Sequence, residues 1–221
     1  MDQLAFPIIS VSVALLAGFV IAYIWLSSRA GPGVEGTQVM LDLETLGTKP
    51  GCKVLSIGAC VFDGLGSHDQ LQFYVEVKRD TGQEALAEDP DTISWWTKQS
   101  PEARALLSTP EENKQTLTAA LLMFNKWLRD VAGVDERGNV RVRVWGNGAD
   151  FDNAVLARAY DACKVKQGWP HWGNRCYRTL KNLRPAVSLE RVGTHHNALD
   201  DALSQADHCS QLLKVLRLWG R

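Results

Sequence analysis

The chain has 221 residues, 45% of them hydrophobic and 22% charged, with 24 Lys and Arg against 25 Asp and Glu. That is enough for one folded domain with a substantial core, and it excludes a mostly disordered chain. A formal net charge of −1 excludes a protein that coats polyanions by bulk electrostatics, so any anionic partner must be attracted by a local site.

Between Asp2 and Arg29 lie 26 residues without a charge. The 20 residues from Pro7 to Leu26 make a helix of about 30 Å, the thickness of a bilayer's hydrocarbon core. Tyr23 and Trp25 fall near one end, where amphipathic rings favour the membrane interface. Residues 1–29 therefore read as a single-pass transmembrane anchor. Arg29 follows the span and Asp2 precedes it, which places the remainder of the protein in the cytoplasm. A cleaved signal peptide, cut near Ser28-Arg29-Ala30, is the competing reading; the acidic start and long apolar run fit it poorly. Residues 30–37 form a Gly/Pro-rich linker, and residues 38–221 have the composition of a globular domain. The five cysteines, Cys52, Cys60, Cys163, Cys176 and Cys209, are odd in number and lack C-x-x-C spacing, which favours reduced thiols over a disulfide framework or zinc ribbon.

Three strands are predicted in succession: Val39 to Glu44, Val54 to Phe62, and Leu71 to Val77 with Phe73, Val75 and Val77 alternating against polar neighbours. Short turns between them imply an antiparallel meander. Asp91-Thr92 is read as the cap of a short helix bearing Ile93, Trp95 and Trp96, and Pro101 begins another. A longer amphipathic helix is expected from about Glu111 to Asp130, with Leu117, Leu121, Phe124 and Leu128 on one face. Arg141 to Trp145 is a strand, followed by a helix from Asp150 to Tyr160 with Asp150 as its N-cap. A helix over Tyr177 to Leu183 and a last one from Asn197 to Leu218 complete an α/β chain with helices packed on a mixed sheet.

Three short segments carry the chemistry. Asp42 and Glu44 are two apart on a strand, so both carboxylates point to one face. Burying like charges that close together costs several kcal/mol unless a cation compensates. Next, Trp145-Gly146-Asn147-Gly148-Ala149-Asp150-Phe151-Asp152 takes a strand through a Gly-rich turn into a helix whose first turn carries Asp152. Finally, in Thr194-His195-His196-Asn197-Ala198-Leu199-Asp200-Asp201-Ala202, Asn197 is a good N-cap, placing His196 just before the helix and Asp201 at its fourth position. Alone, each segment also has an ordinary structural explanation. Together, Asp42, Glu44, Asp152 and Asp201 supply four hard oxygen ligands with one imidazole beside them. That set suits Mg²⁺ or Mn²⁺ better than Zn²⁺. Two such ions can activate water against a phosphodiester, and His196 would take the proton.

Asp42-x-Glu44, Asn147-x-x-x-Phe151-Asp152 and His196-x-Ala198-x-x-Asp201 resemble, in order and spacing, the three motifs of the DEDDh 3′–5′ exonucleases, the RNase T-like members of the ribonuclease H-like superfamily. The i to i+5 spacing with Ala at i+2 selects His196 and Asp201 over His195 and Asp200. Asp91 to Trp96 and Arg175 to Leu180 are similar to segments of bacterial and phage members. The resemblance implies a five-stranded mixed sheet flanked by helices, two divalent ions, and release of 5′-mononucleotides from the 3′ ends of DNA or RNA. Single strands are the expected substrate, because a paired end obstructs access to a recessed metal site. Leu43, Thr45, Leu46, Trp95, Trp96, Asn147, Phe151 and Arg178 are the candidate substrate contacts. The adjacent tryptophans cannot both face a helix's core, so one could stack on a terminal base, with core packing the commoner fate of each tryptophan taken singly. A homodimer is compatible with the sequence. Two other readings keep the fold: a catalytically weak nucleic-acid-binding or membrane adaptor, and a proofreading subunit of a polymerase.

Overall fold

The computed structural model describes residues 36–218. The transmembrane anchor, the orientation inferred from Arg29 and nearly all of the linker lie outside those residues. Among the described residues no helix is long and apolar enough to cross a membrane.

Strands β1 (Thr37–Thr45), β2 (Val54–Asp63) and β3 (Gly66–Glu76) form the expected antiparallel meander. β4 (Val142–Gly146) joins β1 in parallel, and β5 (Asn174–Cys176) joins β4 in parallel. The sheet order is β3-β2-β1-β4-β5, the mixed five-stranded arrangement of a ribonuclease H-like fold. The helices are α1 (Pro90–Trp96), α2 (Pro101–Ser108), α3 (Leu117–Ala132), α4 (Asp152–Ala162), α5 (Tyr177–Leu183) and α6 (Ala198–Val215).

Strand alternation divides β1 between two environments. Val39, Leu41 and Leu43 enter a core with Leu117, Leu121, Phe124 and Leu128 of α3 and Val155, Leu156 and Tyr160 of α4. Burying each of the four α3 side chains contributes about 2 kcal/mol, which is what holds that helix to the sheet. Asp42 lies on the opposite face, under α6, where it meets Gln205. Gly58 of β2, the register partner of Asp42, makes the close approach of α6 possible. A Cβ there would stand 2.2 Å from the backbone carbonyl carbon of Ala198. No side chain fits, so the N-terminus of α6 rests directly on the sheet beside Asp42.

Three helix starts differ from the sequence reading. α1 is capped by Asp89, whose side chain accepts from the N–H of Asp91, with Pro90 in the first turn; proline is well suited there because its missing N–H would be unpaired anyway. α3 begins at Leu117 because Thr116 caps it, accepting from the N–H of Ala119, whereas Glu111–Asn113 makes a separate 3₁₀ turn. Asp150 does not cap α4. The carbonyl of Gly148 accepts from the N–H groups of Phe151 and Asp152 at 2.8 and 3.2 Å, and this turn opens the helix with Asp150 outside it.

Candidate active site

Asp42 and Glu44 project from β1 on the face covered by α6, and Asp201 meets them from the first turns of that helix. Asn197 starts α6 as expected, its side-chain oxygen accepting from the N–H groups of Leu199 and Asp200 at 3.0 and 3.2 Å. Just before it, His196 holds φ at 65°, a left-handed conformation that costs an ordinary residue about 1 kcal/mol. The gain is local: the His196 N–H donates to Asp201 Oδ2 at 2.9 Å, tying imidazole and carboxylate together. One ligand atom from each of Asp42, Glu44 and Asp201 falls within a 4.8 Å cluster, as do those of His195, His196 and Asp201.

Asp152 occupies the first position of α4 and is buried. It falls outside the tight three-carboxylate cluster, yet its charge acts on both Asp42 and Glu44. Gly146 makes room for it, since a Cβ there would lie 2.9 Å from the Asp152 Cβ.

The electrostatics of Asp42, Glu44 and Asp152 follow from burial without an ion-pair partner among the described residues. Burial is the largest cause raising the Asp42 carboxyl well above its ordinary value; the charges of Asp152, Glu44 and Asp201 add to it, and the Gln205 hydrogen bond at 2.8 Å opposes it. Glu44 is pushed up to about 8 by burial, then by Asp201 and Asp152. Asp152 is pushed up to about 7 by burial, against backbone hydrogen bonds and the pull of Arg178. The Oδ2 of Asp152 is buried with no hydrogen-bond partner. An orphaned carboxylate oxygen beside three more carboxylates is a poor arrangement for a bare protein and a good one for a hard divalent cation. The residues present therefore fit Mg²⁺ or Mn²⁺. His196 has its pKa lowered by burial, His195 and Arg191, against the pull of Asp201. Its neutral form, which accepts a proton, is thereby favoured near pH 7.

The site opens into a cavity of about 580 Å³ lined by Leu43, Thr45, Trp95, Trp96, Asn147 and Phe151 together with Asp42, Glu44, Asp201 and His196. The two tryptophans divide as their adjacency on a helix requires. Trp96 is buried, its indole N–H donating to the Thr45 carbonyl at 2.9 Å. Trp95 is 41% exposed and packs edge-on against His196 at 4.7 Å between ring centroids. Arg178 lies beside Gly148 and its charge acts on Asp152, but it is not among the residues that line the cavity.

Leu46 does not join them. It is buried with Leu55, Trp96, Ala103 and Leu106, past a bulge between Glu44 and Thr45 that breaks the strand's alternation just before it. Two residues absent from the sequence reading enter instead. Gln205 is one helical turn beyond Asp201, a spacing that puts both on one face of α6. Arg191 comes from the loop before α6, its Nη1 2.5 Å from Asp201 Oδ1, and nothing in the local sequence announces it.

Similar architecture is found in several solved nucleases. Cell-death related nuclease 4 aligns with a TM-score of 0.55 at 13% identity, over 81% of this chain and 64% of that one. E. coli exonuclease I in complex with a dA16 oligonucleotide aligns with 0.54 at 16%, over 83% of this chain and 42% of that one. The nuclease domain of 3′hExo, a DEDDh family member bound to rAMP, aligns with 0.54 at 12%, over 82% and 93%. At these identities the likeness is one of fold, and this chain spans less than half the length of exonuclease I. No curated protein sequence matches. Residues 37–213 match the model of the 3′–5′ exoribonuclease Rv2179c-like domain, which takes in all five strands, the four carboxylates and His196, so the chain belongs to that family of DEDDh 3′–5′ exonucleases.

Proposed function

We propose that the domain removes 5′-mononucleotides from the 3′ ends of single-stranded nucleic acid, with two Mg²⁺ or Mn²⁺ ions held by Asp42, Glu44, Asp152 and Asp201. The observation that carries this reading is the convergence of three buried carboxylates, Asp42 and Glu44 of β1 and Asp201 of α6, on one cavity, with Asp152 of α4 buried within reach of their charge and one of its oxygens unpartnered. Bound ions would supply the positive charge that a phosphodiester requires as negative charge develops on it. The protein's own residues do the rest. His196, kept neutral and held by Trp95 and by its backbone bond to Asp201, accepts the proton of the water that attacks phosphorus. The P–O3′ bond breaks with its electron pair on O3′, which takes a proton from solvent, leaving a 3′-hydroxyl on the shortened strand and a 5′-phosphate on the released nucleotide. Trp95 offers an exposed indole for the terminal base, and Thr45, Asn147 and Phe151 shape the cavity around it.

RNA is the favoured substrate, because the matching family is described as an exoribonuclease; the related folds that hold dA16 and rAMP make DNA the proper comparison. The test is release of mononucleotides from end-labelled single-stranded RNA and DNA, with Mg²⁺ and with chelator. Turnover should require the metal and vanish in Asp42→Asn and Asp201→Asn. Activity that survives chelator or both substitutions refutes the assignment. The same reading tethers the domain to a membrane through residues 1–29. Retention of the full chain in carbonate-washed membranes supports the tether, and release into the supernatant removes it.

A further inference from the structure

Among the described residues, the four carboxylates of the site have one ion-pair partner, Arg191 on Asp201. Asp201 is thereby fully engaged, one oxygen by the guanidinium and the other by the His196 N–H. The two side chains differ in setting: that of Asp201 is 9% exposed, that of Arg191 45%. Asp201 is thus the buried partner of the pair and Arg191 the half-exposed one. The backbone beneath it is pinned. The Val192 N–H donates to Ser204 Oγ at 2.9 Å and the Thr194 N–H to Asp200 Oδ2 at 2.6 Å. Between them Gly193, at φ +66°, is so close to Asp200 that a Cβ would lie 2.2 Å from its Cγ. Upstream, Val187 accepts from His208 Nε2 at 2.9 Å, while Tyr177 donates to His208 Nδ1 at 2.6 Å. The loop is thus held through its backbone and by Gly193, while the Arg191 side chain is half exposed.

A guanidinium and a divalent cation cannot both sit at full strength on one carboxylate, because the two positive charges would repel at short range. Arg191 acts electrostatically on Lys181, which in turn feels Arg178, and Arg178 acts on Asp152. Arg191 on Asp201 and Arg178 beside Gly148 thus give the site two nearby guanidinium groups, an arrangement suited to a phosphate arriving with the strand.

We propose that Arg191 is a resident counter-ion of Asp201 that gives way to a divalent metal and then clamps a phosphate of the bound strand, so that metal and nucleotide bind with positive cooperativity. This rests on the reading of the site as a metal-dependent nuclease.

The experiment titrates Mn²⁺ into the full chain by calorimetry, with and without AMP as the nucleotide probe, for wild type, Arg191→Met, Arg191→Lys and Asp42→Asn. Arg191→Met keeps the apolar stem and removes the charge. It should bind Mn²⁺ about fivefold more tightly without AMP, bind AMP about tenfold more weakly in saturating Mn²⁺, and lose the coupling between the two. Arg191→Lys should restore part of the coupling. If Arg191→Met binds Mn²⁺ equally or more weakly, Arg191 buttresses Asp201 and the exchange is wrong, even though the metal site stands. If Asp42→Asn leaves wild-type Mn²⁺ affinity unchanged, the nuclease reading falls as well and takes this inference with it.

Discussion

Replacing Glu44 by Gln removes one of the buried carboxylates while keeping its shape, so it measures what the cluster costs the fold when no metal is bound. The folded-state pKa of Glu44 is raised from 4.5 to about 8, chiefly by burial. A group raised in this way contributes its stability fully below the unfolded value near 4.5 and loses it as pH rises through the folded value near 8. The rise corresponds to an upper bound of about 5 kcal/mol. Glu44 shares its repulsion with Asp42, Asp152 and Asp201, and part of the penalty is relieved when a neighbour stays protonated, so about 2 kcal/mol is the expected realised effect. For a domain of this size that is roughly 6 °C in Tm. Thermal melts in chelator at pH 5.5, 7 and 8.5 should show wild type losing stability with rising pH, and Glu44→Gln losing less. The substituted protein should melt about 6 °C above wild type at pH 8.5 and within about 2 °C of it at pH 5.5. Saturating Mg²⁺ should narrow the gap at high pH, because metal binding stabilises the wild-type fold more than the variant. If Glu44→Gln melts below wild type at pH 8.5 in chelator, the carboxylates are not in conflict and the electrostatic argument for a cation fails.

Gly58→Ala drives a Cβ into the backbone of α6 at Ala198 and should cost at least about 3 kcal/mol, read as a fall in urea midpoint; an unchanged midpoint would show that α6 can lift without penalty. Asn197→Ala removes the two cap bonds at the start of the same helix and should cost about 1 kcal/mol, with a larger proportional loss of kcat because His196 and Asp201 flank the cap. Trp96→Ala deletes a buried indole and its bond to Thr45 and should cost about 3–5 kcal/mol in stability. Trp95→Ala should cost about 1 kcal/mol in stability but raise KM for a single strand about tenfold, a split that steady-state kinetics and melts resolve together.

Those differences follow how the chain's local rules extend into the site. Asp42 and Glu44 were legible because strand alternation needs only neighbouring residues, and His196 and Asp201 because Asn197 sets the phase of α6 by a local hydrogen bond. The division of Trp95 from Trp96 was legible for the same reason, a 100° step along one helix. Leu46 was misplaced where alternation stops: the bulge between Glu44 and Thr45 turns the chain so that Thr45 lines the cavity and Leu46 packs under Trp96. Asp150 was misplaced because a Gly148 carbonyl, not a side chain, begins α4. Arg191 had no local signature at all. Its position depends on Gly193 passing within reach of Asp200, on Ser204 holding Val192, and on Gly58 letting α6 lie against β2. The carboxylates can be read as motifs because each sits on a regular element; the cation that answers them sits on a loop whose path is set by packing. A residue placed that way can be exchanged for a metal ion without disturbing the elements that hold the acids, which is why the charge balance of this site is better sought in its loops than in its motifs.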